Sequence, residues 1–105
     1  MTSVVPFTVL SAVATLNSDL DGWTLLDESN ERLRKNQLAI VFERAFVTPP
    51  VVQVAISALD ASNEANLRVR VRAANVTTRG FVIEVETWFN SKVWAVDVSW
   101  LAIGT

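Results

Sequence analysis

The sequence predicts an all-β fold, a six-stranded antiparallel β-sandwich forming a single domain over residues 1–105. Three observations carry that expectation. Apolar residues recur at every second position over most of the chain, the signature of half-buried strands. Clusters of Asn, Asp, Ser, Pro and Gly separate these runs. No segment offers the long apolar stripe of an amphipathic helix, and two packed sheets are the simplest way to bury such strands.

Each element follows from its local pattern. The first strand is expected over about Val5 to Leu16, where Phe7, Val9 and Val13 alternate with hydroxyl residues. Asn17-Ser18-Asp19 and Asp21-Gly22 then turn the chain. The stretch DESNERLRKNQ, residues 27–37, has almost no apolar face and reads as a surface loop. Leu38, Ile40, Phe42 and Phe46 mark a second strand, broken at Thr48-Pro49-Pro50 because neither proline can donate to a ladder. A third strand runs over 51–59, a fourth from NLRVRVR (66–72) to near Asn75, and a fifth over 81–88. Asn90-Ser91 is read as a two-residue hairpin turn into the last strand, 93–103, where Trp94, Val96, Val98 and Trp100 share one side.

Composition narrows the function. Half of the 105 residues are apolar and 19% are charged, which excludes a disordered tail. The net charge of −2 argues against a nucleic-acid partner, since phosphate-binding proteins are usually basic. With no Cys and no His, disulfides, thiolate metal sites, cysteine nucleophiles and the commonest neutral-pH acid–base group are absent. The N-terminal stretch lacks the basic start of a signal peptide and is too short and interrupted for membrane insertion. No activated nucleophile or acid–base pair can be assembled, so an enzyme is not expected; nor is a cofactor or a metal.

The arginines of NLRVRVR pose the central question. A hairpin centred on Thr78 puts Arg72 across from Glu84, Arg70 across from Glu86 and Arg68 across from Trp88. Opposite charges facing each other contribute roughly 0.2–1 kcal/mol per pair, so Arg70 and Arg72 have a structural explanation and Arg68 has none. The expected Asn90-Ser91 hairpin also sets Glu84 across from Asp97. An arginine beside an indole suits sugar recognition: the guanidinium donates directed hydrogen bonds to hydroxyls, and an aromatic face packs on the C–H patch of a pyranose. A cation–π surface pair with no ligand is the plainer reading, and chemistry alone favours it.

The motifs TPPVV (48–52), LD (59–60), NLRV (66–69), GF (80–81), TW (87–88) and WLAIG (100–104) resemble, in order and spacing, the H-type lectin domain of snail agglutinins and the discoidin C-terminal region. The match covers roughly Leu38 to Gly104. The resemblance implies a six-stranded sandwich assembled as a homo-trimer, in some members a hexamer, that binds galactose or N-acetylgalactosamine glycans without catalysis. It also implies a role in cell adhesion or agglutination and an extracellular or cell-surface setting. Residue by residue, it places the sugar-binding arginine at Arg68, the tryptophan at Trp88 and a further aromatic at Trp94. Phe89 stands where the snail lectins have a histidine, exchanging a polar contact for an apolar one. Counting back from Phe42 without a gap implies a carboxylate contact at Glu31 and a small-residue contact at Ser29; a different loop length moves the carboxylate to Asp27 or Glu28. The cysteines of some members are missing, so any oligomer here is held by packing. A structural domain that keeps the sandwich without sugar binding is the rival reading.

Other constellations are weaker. Asn75-Val76-Thr77 is a glycosylation sequon that also reads as a strand entering a turn. Asp19, Asp21 and the acidic residues of 27–31 do not match a calcium loop. Glu84 and Glu86 share one face of one strand with arginine partners expected, which favours a structural role over glycoside hydrolysis. Trp100 is expected in the core, and Trp23 in the core or as a loop anchor.

Overall fold

The computed structural model describes residues 7–27 and 32–105. Six strands appear: β1 (Thr8–Asn17), β2 (Arg34–Val41), β3 (Val51–Ala61), β4 (Val69–Ala74), β5 (Gly80–Thr87) and β6 (Val93–Gly104). They form two antiparallel three-stranded sheets, ordered β1-β6-β3 and β2-β5-β4, packed face to face as the alternation predicts. β5 and β6 are the central strands. Their inward residues, Phe81, Ile83 and Val85 against Val96, Val98, Trp100 and Ala102, form most of the buried core, and Leu16, Leu25, Phe42, Phe46 and Val93 complete it.

One expectation about connectivity fails. β5 and β6 are not a hairpin: the chain leaves one sheet at Thr87 and enters the other at Val93, so the link arches over the core. Alternation could not tell the two cases apart, because a hairpin and an arch both bring the apolar sides of the strands into one core. Asp97 therefore lies across from Thr15 and Ala58 rather than Glu84, and its Oδ1 accepts a 2.6 Å hydrogen bond from the Thr15 hydroxyl. β4 and β5 do form the predicted hairpin, with Arg72 across from Glu84 and Arg70 across from Glu86.

The second strand also differs. It starts at Arg34, inside the stretch read as a loop, and ends at Val41. A polar strand start is tolerated because its inward polar groups are satisfied: Asn36 Oδ1 accepts from the Thr24 amide at 2.8 Å, and its Nδ2 donates to the Gly22 carbonyl at 2.8 Å. Phe42 and Phe46 leave the ladder but stay buried, with ring centroids 5.1 Å apart; Phe42 also meets Phe81 and Trp100 at 5.8 and 5.9 Å. This aromatic cluster fills the Val41–Gly80 end of the sandwich. Gly80 is needed there, since a Cβ would sit 2.1 Å from the Ile40 carbonyl oxygen. The candidate site lies at the opposite end, where Arg34 pairs with Thr87.

Candidate functional site

The outer face of the β2-β5-β4 sheet carries the charges predicted for it. Arg70 Nη2 bonds Glu86 Oε2 at 2.9 Å, Arg72 Nε bonds Glu84 Oε1 at 2.8 Å, and Arg72 Nη2 lies 3.0 Å from Glu86 Oε1. Lys35 closes the group on Glu84 at 3.1 Å. Glu86 is only 1% exposed, lying beneath two half-exposed arginines. Hydrogen bonds from Arg72 and then Lys35 hold the Glu84 carboxyl below the ordinary carboxylate range, against a smaller opposing effect of desolvation. This ladder is structural. It also does one thing outside itself: the Arg70 guanidinium stands 5.5 Å from the centroid of the Trp88 ring.

Beyond the ladder the chemistry changes. Pairing of β4 with β5 stops at Val69–Thr87, so the expected Arg68–Trp88 cross-strand pair does not form. Instead the Arg68 guanidinium lies 5.0 Å from the Phe89 ring centroid, and Trp88 is met by Arg70. Trp88 follows Glu86 by two residues and so lies diagonal to Arg70, while Phe89 takes a φ of +57° where the chain leaves the strand. Arg68 Nη1 donates to the Asn66 carbonyl at 3.1 Å and to Asn90 Oδ1 at 3.2 Å. Among the described residues it has no carboxylate partner.

Two hydroxyls fix the backbone beneath Arg68. Ser91 is buried; its Oγ accepts from the Arg68 amide at 2.8 Å and donates to the Asn66 carbonyl at 2.7 Å. The Thr87 hydroxyl donates to the Arg68 carbonyl. These bonds tie segment 66–68 to turn 88–91, so the backbone that carries the guanidinium is fixed at the rim. A rim built in this way presents directed N–H donors, two aromatic rings and an amide side chain together, a set suited to hydroxyl-rich ligands.

Arg34, which sequence reasoning left in a surface loop, is 4% exposed and sits under this turn. Its Nη2 donates to the carbonyls of Phe89 (3.0 Å) and Ser91 (2.9 Å), and its Nη1 to those of Asp27 (2.9 Å) and Leu25 (3.4 Å). A left-handed conformation at a non-glycine residue costs about 1–2 kcal/mol, so a phenylalanine there needs support from its surroundings. The only signal in the sequence was the even spacing of Arg34, Asn36, Leu38 and Ile40, which extends the strand pattern backward through polar residues.

The structure brings Arg68, Phe89 and Asn90 together and sets Trp88 beside Arg70. Trp94 is 48% exposed, whereas strict alternation along β6 turns it inward; a register shift between Asp60 and Ala61 buries Val93 in its place. It stands on the other sheet, with its carbonyl accepting from the Ser18 amide at 3.0 Å. Trp23, expected in the core or as a loop anchor, is partly buried against the core and anchors its loop, its indole donating to the Val93 carbonyl at 3.0 Å. Ser29, Glu31 and Glu28 lie outside the described residues. Asp27 is described, and its carbonyl is held by Arg34.

Comparison with known proteins bears on this geometry. The H-type lectin domain family matches residues 37–103. A Fuscovulum blasticum protein, ORF 7 of an ATP synthase subunits region, is 35% identical over 72 residues, covering 69% of this chain and 63% of its own length. Wild-type discoidin II from Dictyostelium discoideum superimposes with a TM-score of 0.78 at 22% identity, over 99% of this chain and 39% of that one. Recombinant discoidin II from the same organism gives 0.77 at 22% identity, over 98% and 39%. The chain thus spans less than two thirds of the relatives it matches, and the solved structures speak to its fold. With the family match spanning β5, β6 and the rim between them, the chain belongs to the H-type lectin domain family, a family of carbohydrate-binding domains.

Proposed function

We propose that this domain binds galactose-type glycans, galactose or N-acetylgalactosamine at a non-reducing end, and binds them without transforming them. The observation that carries the reading is Arg68: a partly buried arginine whose guanidinium, among the described residues, meets only neutral acceptors and an aromatic ring, beside an arginine row whose other members are matched to carboxylates. Its donors serve sugar hydroxyls, and the Trp88 and Phe89 rings serve the C–H face of a pyranose. Phe89 in place of a histidine favours galactose over sugars that need a polar contact there. In this reading Glu31, or Asp27 or Glu28, supplies a carboxylate contact, Ser29 a small-residue contact and Trp94 a further aromatic.

The site is shallow, so one copy binds weakly and useful affinity comes from several copies on one assembly. We place the subunit contact on the outer face of the β1-β6-β3 sheet. By register its rows are Val9–Ile103–Val51, Ser11–Leu101–Gln53, Val13–Ser99–Ala55, Thr15–Asp97–Ala58 and Asn17–Ala95–Asp60, so its charges, Asp97 (bonded by Thr15) and Asp60, lie in the last two rows and the first three rows are uncharged. Val9, Val13 and Val51 are each more than half exposed on the isolated chain. A homo-trimer, or a hexamer of two trimers, would cover this face, and light scattering coupled to size exclusion gives the mass.

A glycan array probed with the full chain tests the function. Binding confined to glycans ending in galactose or N-acetylgalactosamine is expected. An array without such signals, together with flat calorimetric titrations at millimolar galactose and N-acetylgalactosamine, would overturn the reading in favour of an interaction domain that has kept only the sandwich.

A further inference from the structure

We infer that Arg34 is the positioning residue of this site, a buried clamp that holds Phe89 in its left-handed conformation and so sets the rim on which Trp88, Phe89 and Asn90 meet Arg68. The argument begins with the backbone. Phe89 has a φ of +57°, a region that bulky L-residues rarely adopt and that persists only where the surroundings impose it. Nothing in the local sequence imposes it, since neither Trp88 nor Asn90 fixes the φ of its neighbour. What grips the turn is Arg34: its Nη2 takes the carbonyl of Phe89 at 3.0 Å and that of Ser91 at 2.9 Å. Rotating residue 89 back to negative φ would carry its carbonyl off the guanidinium.

The other side of the same fork reaches the neighbouring loop. Nη1 takes the Asp27 carbonyl at 2.9 Å and the Leu25 carbonyl at 3.4 Å, and Leu25 in turn accepts from the Val93 amide at 2.9 Å. One planar cation thus spans both loops at this end of the sandwich. Burial sharpens its role. At 4% exposure the Arg34 side chain has little access to water, and a buried charge is tolerable only when acceptors meet it. An ammonium cannot imitate this arrangement, because lysine offers its donors from one point while arginine spreads them across a rigid plane. Arg34 itself need not touch the ligand; it acts through residue 89.

The test uses the full chain and two substitutions combined in a cycle. Asparagine tolerates the left-handed region far better than phenylalanine. If Arg34 works by holding φ at residue 89, Arg34→Lys will lower the unfolding midpoint strongly in the wild-type background and much less in the Phe89→Asn background. In Arg34→Lys alone, the backbone coupling constant and Cα shift of residue 89 will move toward extended values. Val85→Ala, a core truncation, will lower the midpoint while leaving that signature in place. Rescue of an unfolded Arg34→Lys by Phe89→Asn supports the inference as well. Equal loss in both backgrounds, or failure to fold in both, overturns it.

The binding arm rests on the carbohydrate reading above: galactose affinity is expected to fall about tenfold in folded Arg34→Lys, the scale of one lost hydrogen bond to a charged group. Unchanged affinity overturns the positioning role. A wild-type chain that gives no heat with galactose or N-acetylgalactosamine refutes the carbohydrate reading instead, and the stability cycle and residue-89 signature still decide whether Arg34 holds the turn.

Discussion

The β4–β5 ladder and the rim beside it are built from the same residue types yet do opposite things with them. Along the ladder, Arg70 and Arg72 spend their donors on Glu86 and Glu84, and the result is a neutralised, half-covered surface. At the rim, Arg68 spends one nitrogen on Asn66 and Asn90 and lies against Phe89, with no carboxylate among the described residues to satisfy it. An arginine row by itself therefore says little about function. What separates a structural arginine from a ligand-facing one is the residue across from it, and that changes where the ladder stops at Val69–Thr87.

The comparison is broken most sharply by crossed substitutions. Arg68→Ala is expected to weaken sugar binding by about 10–100-fold, the range for losing hydrogen bonds to a charged group. Its unfolding midpoint should change little, since the guanidinium's internal contacts are two bonds to neutral acceptors and one ring. Arg72→Ala is expected to do the reverse, lowering the midpoint and leaving the affinity within twofold or so, roughly the scatter expected for distant, uncoupled sites. Calorimetric titration and thermal unfolding of both variants give the four numbers needed. If Arg68→Ala loses stability and Arg72→Ala loses binding, the assignment of the two regions is inverted.

Glu86→Gln sharpens the ladder side. Removing a buried carboxylate charge from beneath two arginines is expected to cost about 1–2 kcal/mol, below the 3–5 of a fully buried pair because both cations reach water. Chemical denaturation measures it.

Acid titration acts on Glu84. Its folded carboxyl titrates below its ordinary value of 4.5, so the stability it contributes is fully present above that pH. It is lost as pH falls from there through the depressed folded value. Unfolding midpoints followed downward from pH 5 should decline, and Glu84→Gln should remove part of that slope. At the junction of the two regions, Arg70→Met strips the cation from the Trp88 ring, a contact worth about 0.5–1 kcal/mol, and removes one of the two arginine partners of Glu86, so it shifts the Trp88 indole resonance and lowers the midpoint together.

How much of this was legible in the sequence follows from what periodicity can encode. Alternation located all six strands, and turn spacing set the β4–β5 register with Arg70 opposite Glu86 and Arg72 opposite Glu84. Alternation is blind to which sheet a strand joins, so it missed the arch between β5 and β6. It is equally blind to polar strand residues whose partners are distant: Arg34 and Asn36 look solvated in sequence, and only their bonds to Phe89, Ser91, Thr24 and Gly22 show otherwise. At the rim, Arg68 was singled out for lacking a carboxylate opposite it, and that held. Its neighbour is Phe89 rather than Trp88: the ladder ends at Val69–Thr87, Trp88 follows Glu86 by two residues and so lies diagonal to Arg70, and Phe89 leaves the strand at a positive φ. Backbone handedness at a single bulky residue leaves no trace in a hydropathy pattern.

The central claim is that ligand meets the protein at this rim and nowhere on the neutralised ladder. A nuclear magnetic resonance titration of the labelled chain with galactose and with N-acetylgalactosamine tests it directly. The account predicts saturable shifts at the Arg68 Nε–H, the Trp88 indole and the amides of Phe89 and Asn90, with Arg72 and Lys35 unmoved. Shifts centred on Arg72 and Glu84, or on the outer face of the β1-β6-β3 sheet, would contradict it.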